Sequence, residues 1–268
     1  MDRINKLLER VRRLRPIDDA MFKKLAESKA VCQEILRVIL DDKKLIVEEV
    51  ISEDSIANIF GRAVRLDALC TLGNGNVCNI EIQKENVNDD LRRVRYNASS
   101  IVSRFSEKGQ KFSEIPDVIV VYISEYDVFR LGRTIYHINS VIMETNTVVD
   151  DGLRRIFVNT QYADTDNSKV GELMKCFLQK EIDNKKFPEL SERLSYFKNN
   201  GKGVGSMCDI IKDYAKEYAE EEKAEMLVEI IENIAKSTGS IDAACEIAQK
   251  SRKQYDDAKA LLEKTLAV

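Results

Sequence analysis

The stretch from Gly61 to Gln83 decides the fold, and it reads Gly-Arg-Ala-Val-Arg-Leu-Asp-Ala-Leu-Cys-Thr-Leu-Gly-Asn-Gly-Asn-Val-Cys-Asn-Ile-Glu-Ile-Gln. Two runs of alternating residues flank a Gly-Asn-Gly-Asn turn, a pattern that predicts a β-hairpin. The polar residues of both runs occupy odd-numbered positions. This shared parity predicts which residues of the two strands face each other.

Cross-strand neighbours share a face of the sheet, so odd-numbered residues must lie opposite odd-numbered residues. A three-residue loop, Gly73–Gly75, satisfies this rule and places Asp67 opposite Glu81. Glycine at the end of such a loop suits the left-handed conformation that the loop often needs. The sequence therefore predicts one buried apolar face and one face that carries Arg65, Asp67, Glu81 and Gln83.

Two carboxylates on one rigid face can hold a hard divalent cation. Mg²⁺ prefers oxygen ligands and is often bound by one or two carboxylates together with a substrate phosphate. An ordinary hairpin with a polar face toward solvent fits the same alternation. Taken alone, the residues of the hairpin leave both interpretations open.

Several segments, in order, carry a resemblance to a known family. Asp67 is followed after thirteen residues by Glu81-Ile82-Gln83, and the other matching pieces are Asp19-Ala20-Met21-Phe22-Lys23, Arg65-Leu66-Asp67 and Arg92-Arg93-Val94-Arg95-Tyr96. From about Pro16 to about Tyr196 the chain resembles the PD-(D/E)xK nuclease superfamily. Within it, the chain is most similar to a bacterial transposase-like family of recombination-promoting nucleases that uses an ExQ variant of the motif.

The resemblance implies an α/β fold with a restriction-endonuclease-like mixed central sheet flanked by helices. It implies a metal-dependent DNA endonuclease that hydrolyses phosphodiester bonds in recombination- or transposition-related DNA processing. Asp67 and Glu81 would bind Mg²⁺ or Mn²⁺, with the backbone carbonyl of Ile82 as a further ligand. Gln83 would orient the attacking water, and Asp19 is either an additional acid or a plain helix N-cap.

Arg92 and Arg93 are candidate phosphate contacts, because guanidinium groups suit phosphate recognition and the predicted helix that carries them starts close to Gln83. A solvated basic helix face is the alternative. Two departures from the family pattern matter. Leu66 rather than proline precedes Asp67, and Gln83 stands where most of these nucleases carry lysine. A non-catalytic DNA-binding or protein-interaction module on a nuclease scaffold is therefore the rival hypothesis.

The composition limits the kinds of metal site, cellular location and DNA contact that these hypotheses can include. The chain has 268 residues, a net charge of −4, six widely spaced cysteines and one histidine, so a Cys/His zinc site is not expected. No apolar run approaches the roughly 18–20 residues of a membrane span, and no secretory signal is visible. We expect a cytoplasmic protein with reduced thiols and no membrane partner, in which any DNA contact comes from local basic clusters.

The remaining chain predicts the flanking elements. Residues 2–15 predict an amphipathic helix that either packs on the surface or serves as a DNA-backbone arm, and a second helix is expected from Asp18 or Asp19 to about Leu40. Val118–Ile123 predicts a central buried strand, so the preceding Pro116-Asp117 does not belong to the nuclease motif.

The glycine-rich Gly201–Gly205 segment predicts a linker. It divides the chain into a nuclease-like domain, residues 1–200, and an α-helical C-terminal segment, residues 206–268. The helices of that segment can pack on the core or pair with a second copy to form a homo-oligomer.

Overall fold

The computed structural model describes residues 2–56, 64–86, 88 and 90–265. Gly61, Arg62 and Ala63, at the start of the quoted stretch, lie outside these ranges. So do Val87, where the sequence suggested that the basic helix begins, and the last three residues of the chain.

The described residues form a mixed α/β fold, as the sequence predicted. The helices are α1 (Asp2–Arg13), α2 (Asp19–Ala26), α3 (Lys29–Ile39), α4 (Asp90–Arg104), α5 (Lys169–Leu178), α6 (Pro188–Asn199), α7 (Gly201–Thr238), α8 (Ile241–Ile247) and α9 (Arg252–Thr265). The strands are β1 (Val47–Ile56), β2 (Val64–Leu72), β3 (Val77–Gln83), β4 (Val118–Ser124), β5 (Ile135–Ile138), β6 (Ser140–Ile142), β7 (Thr147–Val149) and β8 (Leu153–Asn159). No described helix has the length and apolar character needed to cross a membrane.

Six strands form a mixed sheet in the order β1-β2-β3-β4-β8-β5. The central strands β3, β4 and β8 run parallel, whereas β2 pairs antiparallel with β3 and β5 pairs antiparallel with β8. The strand predicted at residues 118–123 is β4, and every one of its residues is buried. The segment after Arg133 is divided between β5 and a separate β6–β7 hairpin.

The hairpin has the register that parity predicted. Ala68 lies opposite Ile80 and Thr71 opposite Val77, which leaves Gly73–Gly75 as a three-residue loop. Gly75 has φ +85°, the left-handed conformation expected at the end of the loop. Continued by one residue, this register brings Asp67 opposite Glu81.

Both faces of β3 are buried, which the alternation did not predict. Leu66, Cys70, Ile80 and Ile82 are buried as expected, but Glu81 on the polar face is only 6% exposed. The interpretation of an open polar face toward solvent was therefore wrong for β3. A polar residue at this depth needs a partner, because an unpaired buried polar group is costly.

The region expected as one helix from Asp18 or Asp19 to Leu40 is two helices. α2 ends at Ala26, and Ser28 caps α3 by accepting a hydrogen bond from the Val31 N–H at 3.5 Å. Serine at an N-cap offers the backbone a partner that a continuous helix would not use. The break turns the chain so that both helices bury apolar faces.

The N-terminal helix α1 is anchored at its carboxyl end. Val11 is buried, and the Lys198 ammonium on α6 donates to the carbonyls of Arg12 at 2.9 Å and Leu14 at 2.6 Å. A cation at the carboxyl end of a helix binds the carbonyls that lack helical partners. This contact supports the interpretation that α1 packs on the surface, and a role as a DNA-backbone arm stays a prediction.

The glycine-rich segment is helical, so the predicted linker at Gly201–Gly205 was wrong as a local structure. It forms the first turn of α7, where the Asn200 side chain accepts a hydrogen bond from the Lys202 N–H at 3.0 Å. A Cβ at Gly203 would lie 2.3 Å from the carbonyl oxygen of Tyr196. Glycine is needed here because α6 and α7 approach closely, not because the chain must be flexible.

The described chain falls into two compact units. The first unit contains the sheet and extends to Cys208. Most residues of the second unit lie in the segment that starts at Asp209. The second unit has its own small core, built from residues of α7, α8 and α9: Ile231, Ala244, Cys245 and Tyr255. Residues 1–200 and 206–268 as independent domains remain a prediction.

A chain ending after Cys208 should fold cooperatively, whereas one ending after Gly203 should be less stable. The shorter form loses Met207, which is fully buried and belongs to the first unit. Loss of a buried side chain of this size costs about 2–4 kcal/mol of unfolding free energy. Urea denaturation followed by circular dichroism measures both forms. Insoluble or non-cooperative protein from the Cys208 form would show that the C-terminal helices complete the core.

Candidate active site

The hairpin brings two carboxylates together at one end of the sheet. Glu81 on β3 is buried, and Asp67 on β2 is half-buried. The Asp67 Oδ2 atom accepts a hydrogen bond of 2.8 Å from the backbone N–H of Ile82. At this end of the hairpin the side chain of Asp67 thus supplies the acceptor that the backbone of a paired strand normally provides.

Asn79 is the buried neighbour of Glu81, and the sequence reasoning did not identify it as a site residue. It lies two positions before Glu81, on the same face of β3, and its Nδ2 atom donates to Glu81 Oε1 at 2.6 Å. Within the described residues, the Asn79 Oδ1 atom is buried without a hydrogen-bond partner. A buried amide oxygen without a partner is unusual. It adds a hard oxygen donor beside the carboxylate pair.

The electrostatics of the pair favour protonation. The pKa of Asp67 is raised from 3.8 to about 7, chiefly by burial and also by the negative charge of Asp19, and the charges of Arg65 and Arg93 oppose this rise. Burial, followed by the charge of Asp67, raises the pKa of Glu81 well above its ordinary value. A buried carboxylate whose pKa is raised by a second carboxylate favours a cation beside it.

Asp19 is close enough to influence the pair electrostatically. Burial and the neighbouring Asp18 raise the pKa of Asp19. Asp18 occupies the N-cap position of α2 without a side-chain capping bond, and its carboxylate instead accepts from Lys84 Nζ at 2.8 Å. This ion pair ties the start of α2 to the end of β3. Asp19 is thereby placed at the same end of the sheet as Asp67.

Gln83 is half-buried at the end of β3, and its amide nitrogen donates to the carbonyl of Glu85 at 2.7 Å. The nitrogen is thus engaged, and the amide oxygen is the atom that can accept a hydrogen bond from water. Lys84, the nearest lysine in sequence, is paired with Asp18 rather than with the carboxylates.

The structure distinguishes the two candidate arginines on α4. Arg92 is exposed, whereas Arg93 is half-buried. The charge of Arg93 lowers the pKa of both Asp67 and Glu81, so Arg93 acts on the pair electrostatically. Sequence alone could not separate the two, because neighbours on a helix point about 100° apart and the rotation of α4 is a tertiary property.

The described residues include no group of three or more His, Cys, Asp or Glu side chains arranged to hold a metal ion. The structure therefore brings together Asp67 and Glu81 as a pair, and the charge of Asp19 acts on Asp67. A pair still fits Mg²⁺ or Mn²⁺, since these ions keep several waters and accept carbonyl oxygens. The Ile82 carbonyl fits this description. It points to the same side of the strand as the N–H that bonds Asp67.

A comparison with protein-family models matches residues 16–196 to the family described as PD-(D/E)XK nuclease family transposase. The chain belongs to this family. The match confirms the resemblance drawn from the hairpin and the flanking motifs, and the mixed sheet agrees with a restriction-endonuclease-like fold. Searches of curated proteins and of solved structures give no significant match.

Family membership supports a nuclease-like or transposase-related role. PD-(D/E)XK nucleases generally use divalent metals, and a nuclease family of this kind implies a DNA substrate. The residues that carry out such a role in this chain are not identified by the match. Their assignment rests on the site geometry and on the experiments proposed below.

The metal-free protein should lose stability as the pH rises. Because the pKa of Asp67 is higher in the folded state, the folded protein binds more protons, and this contribution is complete below about pH 4 and lost as the pH passes about 7. A full shift of this size corresponds to about 4 kcal/mol, which we reduce to roughly 1–2 kcal/mol because Asp67 is partly exposed to solvent screening.

Urea denaturation in EDTA at pH 5 and pH 8 measures this effect. Asp67→Asn should reduce the pH dependence of the unfolding free energy, and the raised pKa of Glu81 should maintain the rest. Asp117→Asn, which changes a carboxylate beside the hairpin turn at the opposite end of β3, should leave the pH dependence unchanged. An Asp67→Asn variant with the pH dependence of the parent would contradict the elevated pKa.

Proposed function

We propose that this protein is a metal-dependent DNA endonuclease that hydrolyses phosphodiester bonds, in DNA processing related to transposition or recombination. The observation that carries the proposal is the pair of half-buried Asp67 and buried Glu81 with raised pKa values, on which the charge of Arg93 acts. Its support from the comparisons is membership in a nuclease family.

The chain's own residues have distinct roles in this proposal. Asp67, Glu81 and the Ile82 carbonyl would hold Mg²⁺ or Mn²⁺. When bound, such an ion polarises the phosphoryl group and lowers the pKa of bound water. The neighbouring Gln83 amide oxygen would orient the attacking water. The negative field of Asp19 would favour retention of a cation.

Arg93 would contact the phosphate nearest the carboxylate pair, because its charge acts on both carboxylates. A planar guanidinium can bind two phosphate oxygens at once and balances the charge that develops during hydrolysis. Arg92 is exposed and would contact the DNA backbone farther from the reacting phosphate.

One observation favours the non-catalytic alternative. Gln83 is neutral, and Lys84 is paired with Asp18, so no lysine at the end of β3 acts on the carboxylate pair in the described structure. A protein with this site could bind metal and DNA without turnover. In the endonuclease proposal, Arg93 on α4 supplies the positive charge that a lysine at the end of β3 would otherwise provide.

Incubation of purified protein with supercoiled plasmid distinguishes the endonuclease proposal from the non-catalytic alternative. With Mg²⁺ or Mn²⁺ we expect nicked and linear products, and with EDTA we expect none. The same metals should stabilise the protein at pH 8, where the carboxylates bind them without competition from protons. Stabilisation by Mn²⁺ without cleavage would favour the non-catalytic module. Cleavage that persists in EDTA would overturn the proposal.

The cytoplasmic location and the homo-oligomer remain predictions. Met226 and Ile230 on α7 and Ile247 on α8 are exposed, and such apolar residues fit a contact between copies. Light scattering of the full chain and of the form ending at Cys208 measures whether the C-terminal helices set the oligomeric state.

A further inference from the structure

A polar cluster next to the carboxylate pair has no role in the function proposed so far. Asp90, the first residue of α4, is buried. Its Oδ1 atom accepts a hydrogen bond of 2.6 Å from the hydroxyl of Tyr122 and a second from the hydroxyl of Tyr126. We call these three residues the Asp90 clamp. It joins the start of α4 to the end of β4.

The register of the sheet places the clamp beside the candidate active site. Tyr122 is the ladder partner of Glu81 in the parallel pairing of β3 with β4, so the two side chains share a face. Tyr122 is fixed by its ring contact with Phe157, at 5.4 Å between centroids. The backbone carbonyl of Tyr126 accepts a hydrogen bond from Ser124 Oγ at 2.6 Å.

Arg93 follows Asp90 by three residues, so both side chains lie on the same side of α4. The charge of Arg93 acts on Asp67, Glu81 and the Tyr126 hydroxyl alike. The clamp and Arg93 therefore form one surface that faces the carboxylate pair.

Apart from Asp90, the described first turn of α4 buries no side chain. Leu91 is 49% exposed, and the first buried apolar residue of the helix is Val94. A rotation of the first turn by about 100° would bring Arg92 into the direction of Arg93. The Asp90 clamp opposes such a rotation at the start of the helix, and the buried face that begins at Val94 opposes it along the rest of α4.

We infer that Asp90, Tyr122 and Tyr126 are positioning residues that hold Arg93 toward the phosphate bound at the Asp67–Glu81 pair. This inference rests on the proposed function, since it assigns Arg93 a phosphate as its ligand. A purely structural interpretation, in which Asp90 only stabilises the start of α4 through the helix dipole, predicts effects that do not depend on Arg93.

The test measures binding of a fluorescein-labelled 20-base-pair duplex in EDTA, which prevents metal-dependent cleavage, over a range of salt concentrations. Removing one phosphate contact lowers the slope of log affinity against log salt by about 0.9. Arg93→Met should lower the slope by that amount. Tyr126→Phe should lower the slope by more than half of the change seen in Arg93→Met. It should also weaken binding of the duplex roughly three- to tenfold at moderate salt.

The double variant decides the matter. In the Arg93→Met background, Tyr126→Phe should cause no further loss of affinity or slope, because the clamp acts through Arg93. In the Arg92→Met background, the effect of Tyr126→Phe should persist in full. Asp90→Asn should bind like the parent, since its amide oxygen can still accept both hydroxyls. Asp90→Ala should behave like Tyr126→Phe or worse.

Additive effects of Tyr126→Phe and Arg93→Met would overturn the inference. So would an unchanged salt slope in Tyr126→Phe, or a parent that does not bind the duplex. Failure of the proposed function looks different. If the parent binds DNA with the expected coupling but cleaves no plasmid with Mg²⁺ or Mn²⁺, the endonuclease proposal fails and the role of the clamp stands.

Discussion

Asp67→Ala and Glu81→Ala should each reduce plasmid cleavage by ~10²–10³ or more, to the level of the EDTA control. Each substitution removes one of the two carboxylates that the described part of the chain brings together at the end of the hairpin. A weakly held divalent cation with several retained waters cannot spare either of them. Initial rates of nicking, measured on gels at saturating Mg²⁺, give the comparison.

The matched control is Asp117→Ala. Asp117 is also an acidic residue at the end of a strand, but it lies at the hairpin-turn end of the sheet, 3.5 Å from the amide nitrogen of Asn76. The Asp117→Ala variant should cleave plasmid at the rate of the parent. Asp67→Asn and Glu81→Gln preserve side-chain volume, so they separate loss of the charge from loss of folding. Cleavage by Asp67→Ala at the rate of the parent would show that the site is misassigned.

The register of the hairpin could be predicted because it follows from local rules. Side chains alternate with a period of two, and a one-residue slip would exchange the faces of Asp67 and Glu81. Gly75 favoured the three-residue loop, because glycine readily adopts the left-handed conformation found at this position. These constraints lie within a short stretch of chain, so they need no knowledge of the tertiary fold.

The burial of the polar face could not be predicted in the same way. It depends on which elements cover β3, and the ladder partner of Glu81 is Tyr122, which is distant in sequence. Asn79 and the Asp90 clamp were missed for this reason. A weak signal was present, since Asn79 shares the parity of Glu81 on a strand whose other neighbours are apolar.

The C-terminal boundary shows a different limit. Glycines are typical of loops, and the Gly201–Gly205 segment was interpreted as a linker on that ground. In the structure these residues open α7, with Asn200 as the capping acceptor and Gly203 packed against the Tyr196 carbonyl. Composition could not distinguish a flexible glycine from one required by a close helix contact.

The last prediction concerns Gln83, whose neutral side chain is the main departure from the family pattern. Gln83→Ala should lower cleavage about ten- to a hundredfold, because it removes the amide oxygen proposed to orient the attacking water. Gln83→Lys should keep or raise cleavage, since an ammonium group beside Asp67 and Glu81 adds positive charge near the developing phosphate charge.

A second readout separates this effect from a general disturbance of the site. Lysine at position 83 should lower the pKa of the neighbouring carboxylates, because an adjacent cation favours their ionised forms. The midpoint of the pH–rate profile should therefore move to lower pH in Gln83→Lys. Glu85→Gln is the matched control, because it keeps the backbone carbonyl to which Gln83 donates. It should have the pH profile of the parent.

The outcomes of the Gln83 variants discriminate between the two functions considered. If Gln83→Lys cleaves faster and at lower pH than the parent, the result supports an endonuclease without the usual lysine. In that enzyme Gln83 orients the water and Arg93 supplies the positive charge. If Gln83→Lys is as inactive as Asp67→Ala, the proposed role of position 83 is wrong. Equal, negligible cleavage by every variant, with Mn²⁺ still stabilising the parent, would identify a metal- and DNA-binding module without turnover.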